Sequence, residues 1–133
     1  MNPKPRLLVA EDHPKVRAMV VSLLVERDFD IVASVANGQA AIEATRKLLP
    51  DVVILDVSMP ILDGREVAMH LKAEGCNAKL VFLSLFSDVD QVTSFLAAGG
   101  DACVSKVRMA TDLFCAIQEV LAGRTFLSPV AGA

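Results

Sequence analysis

Five short apolar runs, spaced roughly twenty-five residues apart, restrict this chain more than any other feature. They are LLVA at 7–10, IVASV at 31–35, VVIL at 52–55, LVFL at 80–83 and ACV at 102–104. Each has the length of a strand, and the β-branched third run reads as one buried on both faces. Between the runs, apolar residues return at helical spacing instead. Val16, Met19, Val20, Leu23 and Leu24 form one stripe, Ala41, Ala44 and Leu48 a second, and Val67 with Leu71 a third. Val92, Phe95 and Leu96 form a fourth; Leu113, Ile117, Val120 and Leu121 a fifth. The punctuation agrees. Pro14 suits a first helical position, Ser87 with Asp90 three residues on suits a helix start, and Gly75, Gly99 and Gly123 fall where helices should stop. Strands alternating with helices predict an α/β domain, doubly wound, with a parallel sheet, helices on both faces and right-handed crossovers.

A chain of 133 residues fits one such domain. A net charge of −3 with no basic stripe argues against a nucleic-acid surface. Hydrophobic residues make up 53% of the chain, but no apolar run approaches the roughly 18 residues of a membrane span. That fraction reads as a large interior, with no membrane partner. The opening MNPKPR is followed by only a short apolar run, so no secretory signal is expected. Cys76, Cys103 and Cys115 are odd in number and widely spaced, which speaks against a disulfide framework or a zinc site and for a reducing cytoplasm. No linker is expected before about residue 124, which gives a domain over 1–124 and a tail or linker start over 125–133.

In a parallel sheet of this kind the ligand site lies beyond the carboxyl ends of the strands. Glu11 and Asp12 follow the first run, Asp56 the third, Ser84 the fourth, and Ser105 and Lys106 the fifth. Three carboxylates gathered on one sheet edge repel by a few kcal/mol per pair even at an effective dielectric of about 20. A small hard cation such as Mg²⁺ would offset that and leave room for phosphate oxygens. Lys106 adds a positive charge that could pair with Asp56, and Ser84 adds a hydroxyl donor. A carboxylate at a rigid strand tip, beside a cation and an amine, can act as a nucleophile toward phosphorus.

The segments LLVAEDHPKVR, DVVILDVSMPILDG, LVFLSLFS and AAGGDACVSKV resemble, in order and spacing, the motifs of response-regulator receiver domains of two-component signalling. The resemblance covers about residues 5 to 124. It implies a flavodoxin-like fold, a five-stranded parallel sheet in order 2-1-3-4-5 with five helices. It also implies that Asp56 is the phospho-acceptor, that Glu11 and Asp12 hold Mg²⁺ together with Asp56, and that the Ser58 backbone carbonyl is a further metal ligand. Ser84 would be the hydroxyl that moves toward the phosphoryl group and Lys106 the lysine that contacts it. The implied partner is a sensor histidine kinase, with homodimerisation on phosphorylation. The chain would be a signalling switch rather than a turnover enzyme, assisting its own aspartyl phosphorylation and dephosphorylation. The segment ATDLFCAIQEVLAGRTFLSP is similar to the last helix and linker start of the NarL/LuxR-type subfamily. There the receiver precedes a helix-turn-helix domain, so DNA binding and transcription regulation would come through a domain absent from this chain. The alternative is a stand-alone or degenerate receiver acting as a protein-binding scaffold.

Two positions depart from that pattern. Cys103 stands where the family usually carries Tyr or Phe, which puts the usual coupling of hydroxyl to aromatic ring in question; a plain buried cysteine is expected there. Val107 stands where many receivers have proline, so the loop after Lys106 is expected to be less fixed. Phe86 reads either as a shield for an acyl phosphate or as an ordinary loop aromatic. His13 reads as a helix-entry residue and His70 as a surface histidine. Rival classes fit less well. Dehalogenase-like phosphatases and Toprim-type nucleases need a second Asp two residues after the first, where this chain has Ser58. A flavin carrier would want a Ser/Thr/Gly-rich phosphate loop where this chain has EDHPK, and Trp and Tyr are both missing for ring stacking.

Overall fold

The structure is a computed structural model that describes residues 4–85 and 89–129. The alternation runs β1 (Arg6–Ala10), α1 (Pro14–Val25), β2 (Asp30–Val35), α2 (Gly38–Leu48), β3 (Val52–Asp56) and α3 (Gly64–Ala73). It continues with β4 (Lys79–Ser84), α4 (Val89–Ala97), β5 (Ala102–Ser105), a 3-10 turn at Lys106–Arg108, and α5 (Met109–Leu121). A two-residue strand, β6 (Phe126–Leu127), follows. The sheet order is β2-β1-β3-β4-β5-β6, and every neighbouring pair is parallel. This is the expected flavodoxin-like order with one strand more than the expected five. The sixth comes from residues read from sequence as tail, and two residues are too few to carry a period-2 signal.

Local chemistry explains the element ends. Pro14 opens α1 at its first positions, and the N-cap His13 accepts a hydrogen bond from the Val16 N–H at Nδ1, 3.4 Å away. Asn37 Oδ1 accepts from the Ala40 N–H at 2.8 Å and caps α2. Asp63 and Glu66 form a reciprocal capping box on α3. Gly75, Gly99 and Gly123 adopt φ of +77°, +110° and +84°, the left-handed region in which a chain leaves a helix without a Cβ penalty. Ser87, read as the start of the fourth helix, lies outside the described residues, as does Phe86.

Strand alternation splits the core into two layers. Leu7, Val9, Val52, Ile54, Val81 and Leu83 pack toward α1 and α5. Leu8, Val53, Leu55, Leu80 and Phe82 pack toward α2, α3 and α4. Val52 through Leu55 are wholly buried, each such side chain contributing about 1.5–3 kcal/mol. That burial anchors β3, and with it whatever residue stands at its tip. Val20 and Leu24 of the α1 stripe are buried, whereas Met19 turns half outward. No helix among the described residues is long and apolar enough to cross a membrane.

Candidate functional site

Asp56 is the last residue of β3 and is buried, 2% exposed, at the carboxyl edge of the sheet. Its strand neighbour in register is Leu83, so Ser84, also buried, ends β4 one residue further along the same edge. Ser84 in turn aligns with Ser105, the last residue of β5. Glu11 follows β1 directly. Its N–H donates to the Val35 carbonyl at 3.0 Å, and its own carbonyl accepts from Arg17 Nη1 at 2.9 Å, which fixes its backbone on both sides. Glu11 is buried while Asp12 faces solvent. One carboxylate oxygen from each of Glu11, Asp12 and Asp56 lies within 4.8 Å of the others.

Lys106, the first residue after β5, reaches over this edge. Its Nζ lies 2.9 Å from Asp56 Oδ1 and 3.4 Å from Glu11 Oε2. Burial works against the lysine charge, but the hydrogen bond and field of Asp56, with Glu11 behind them, prevail and hold its pKa above the ordinary value. Glu11 responds in the opposite sense. Burial chiefly, and then the neighbouring Asp56, push its carboxyl up to about 8, with Lys106 pulling the other way. The Ser58 N–H donates to Asp56 Oδ1 at 3.3 Å from an exposed loop position. Glu11, Asp12, Asp56, Ser58, Ser84 and Lys106 therefore lie along one sheet edge, as the strand-end rule anticipates.

The donor set suits a hard divalent cation. It is all oxygen, with carboxylates close enough to share one ion, and two like charges at such range repel by about 3–4 kcal/mol at an effective dielectric near 20. Glu11 Oε2 is buried and makes no hydrogen bond, its recorded contact being the 3.4 Å ion pair with Lys106, which leaves acceptor capacity that a cation could use. Cys103 is buried among Phe82, Phe95 and their neighbours, and burial raises its thiol pKa to about 12. With no lowered pKa it behaves as a small core side chain.

Sequence reasoning passed over two polar residues that bear on this edge. Asp112, in the first turn of α5, and Ser128, just past β6, are both buried. Ser128 Oγ donates to Asp112 Oδ2 at 2.7 Å and accepts from the Ser105 N–H at 3.1 Å. In sequence each looks like a solvated helix or tail residue, and only the docking of β6 sets them together.

The chain belongs to the response regulator receiver domain family, whose model matches residues 7–118. Its relatives are response regulators of the NarL/LuxR type. A Pseudomonas aeruginosa protein named as a transcriptional regulator is 38% identical over 119 residues, 89% of this chain and 57% of that one. The nitrate/nitrite response regulator protein NarL of Escherichia coli K12 is 30% identical over 123 residues, 92% of this chain and 57% of that one. Among solved structures, a LuxR-family two-component response regulator from Aurantimonas superposes with a TM-score of 0.90 at 28% identity, covering 95% of this chain and 91% of that one. The chain thus spans a little over half the length of those two curated relatives. Receiver domains of this family are signalling domains of two-component systems rather than classical enzymes.

Proposed function

We propose that this domain is a phosphorylation switch in which Asp56 accepts a phosphoryl group from a sensor histidine kinase. A carboxylate oxygen of Asp56 attacks the phosphorus of a phosphohistidine in line. The new P–O bond forms as the P–N bond breaks, and the electron pair of that bond stays on the departing imidazole. Glu11, Asp12, Asp56 and the Ser58 carbonyl would hold Mg²⁺, which when bound supplies positive charge against the phosphoryl oxygens. Lys106 pairs with Asp56 before transfer and moves its hydrogen bond to a phosphoryl oxygen afterwards. The Ser58 N–H that now donates to Asp56 is a second donor to the acceptor carboxylate. The Ser84 hydroxyl turns toward the same group.

The observation that carries this reading is the 2.9 Å contact of Lys106 Nζ with Asp56 Oδ1, inside a cluster of three carboxylates. Turning the switch from mostly off to mostly on needs about 5.5 kcal/mol of differential interaction. Two or three charge-assisted hydrogen bonds at about 1.5–3 kcal/mol each supply it. The readout is a changed surface that promotes homodimerisation and controls a helix-turn-helix output domain belonging to a longer protein, in a cytoplasmic two-component pathway.

Asp56→Asn is expected to abolish labelling by acetyl phosphate with Mg²⁺, followed by mass spectrometry; label surviving in that variant would identify another acceptor. Lys106→Ala is expected to keep Mg²⁺ binding but lose the surface change on phosphorylation. An active-state spectrum in that variant equal to the parent's would remove the lysine from the mechanism.

A further inference from the structure

The three-residue turn that carries Lys106 is held at its two ends by a linked pair of side chains, Ser128 before it at Ser105 and Asp112 at its last residue, Arg108. On one flank, the N–H of Ser105 donates to Ser128 Oγ at 3.1 Å. On the other, Arg108 Nε donates to Asp112 Oδ2 at 2.8 Å. Ser128 Oγ donates to that same Asp112 oxygen at 2.7 Å and so closes the loop. Ser128 is held in turn by its own N–H, which donates to the Cys103 carbonyl at 2.9 Å as the chain leaves β6. Ser105, Asp112 and Ser128 are all buried, at 7%, 5% and 3% exposure, so water does not stand in at little cost for the two bonds of the Ser128 hydroxyl, whereas the Arg108 side chain is 43% exposed.

We propose that Ser128 and Asp112 are positioning residues for the acceptor site: a clasp that makes the placement of Lys106 depend on docking of the 126–128 segment. The proposal rests on the reading of Asp56 and Lys106 given above and adds what governs them. The turn has its own backbone bond, from the Met109 N–H to the Lys106 carbonyl, but Val107 is exposed, 83%, and gives it no packing, and it is the clasp that joins the turn to the 126–128 segment. With it, the expected looseness of the loop after Lys106 is replaced by a turn closed on itself. Linkage makes the coupling reciprocal. Whatever draws Lys106 toward a phosphoryl group alters the hold on segment 126–128, and whatever pulls that segment away alters Lys106. The chain leading out of the domain is thereby wired to the acceptor carboxylate through the Cys103 backbone and without calling on the Cys103 side chain.

The test uses Ser128→Ala and Ser128→Thr in the whole 133-residue chain. The ¹³Cε resonance of Lys106, which reports the carboxylates around its amine, is followed alongside acetyl-phosphate labelling with Mg²⁺. Ser128→Ala is expected to speed exchange of the Ser105 amide by about tenfold, the factor of one lost hydrogen bond to a buried group. It is also expected to shift the Lys106 resonance and to change the labelling rate severalfold with Mg²⁺ affinity unchanged, and Ser128→Thr to restore all three. An unshifted Lys106 resonance in Ser128→Ala overturns the clasp, whether or not the protein is labelled. A shifted resonance in a protein whose parent takes no label supports the clasp and defeats the phospho-acceptor reading instead. If Ser128→Ala does not fold, Asp112→Asn carries the same readouts, with the same outcomes deciding.

Discussion

Gly64 lies so close to the acceptor strand that a Cβ added to it would sit 2.6 Å from the Asp56 carbonyl oxygen and 3.0 Å from Val57 Cα. Both are backbone atoms and cannot swing aside. Gly64→Ala is therefore expected to cost about 1–3 kcal/mol in urea denaturation and to slow labelling of Asp56, because the strain falls on the residue that holds the nucleophile. A variant equal to the parent in both would show that the strand end yields freely. At this scale the sequence was informative about Asp56, Glu11, Asp12 and Lys106, since each follows an apolar run and strand ends share one edge. It was silent about Gly64, because a close approach between a helix start and a neighbouring backbone leaves no mark beyond a single glycine. Asp63 and Glu66 did leave one: an acid followed three residues later by Glu is the spacing of the capping box they form.

Asp112 links α5 to β6 and gives that pairing a pH dependence. Burial raises its pKa, but the hydrogen bonds from Arg108 and Ser128 and the Arg108 charge outweigh it, and the net value lies below the ordinary 3.8. Arg108 is the charged group recorded against it. A carboxyl with a depressed pKa stabilises the folded form above its unfolded pKa, and that contribution fades as pH falls through the folded value. Acidification below the ordinary carboxylate range is thus expected to release the 126–128 segment while the rest of the sheet persists. Loss of the Ser105 amide's protection before that of the β3 amides would show it; simultaneous loss would place the weak point elsewhere. The five strands and five helices were legible from period alone, but β6 was not. Its two residues gain their structure from the β5 edge and from Ser128, not from their own pattern.

The whole molecule is a sheet with two apolar layers and one polar rim, and the rim is where charge can change. A phosphate mimic such as beryllofluoride with Mg²⁺ is expected to shift resonances across the α4, β5 and α5 side and to raise the mass measured by light scattering toward that of a dimer. Identical spectra and mass with and without the mimic would favour a scaffold that never takes phosphate. Composition pointed to one domain and argued against a nucleic-acid surface, and the βα rhythm set the class of fold. What no reading of the chain could supply was the register that aligns Asp56 with Leu83 and Ser84 with Ser105, because register belongs to pairs of strands.

The sequence contains neither tryptophan nor tyrosine, so its near-ultraviolet emission is that of phenylalanine alone. Phe126, half-buried at the start of β6 and packed against the α1/α5 layer, is therefore a natural place for a single indole. In a Phe126→Trp protein every photon of tryptophan light would come from the clasped segment, which turns an otherwise dark domain into its own optical gauge of how firmly that strand is seated.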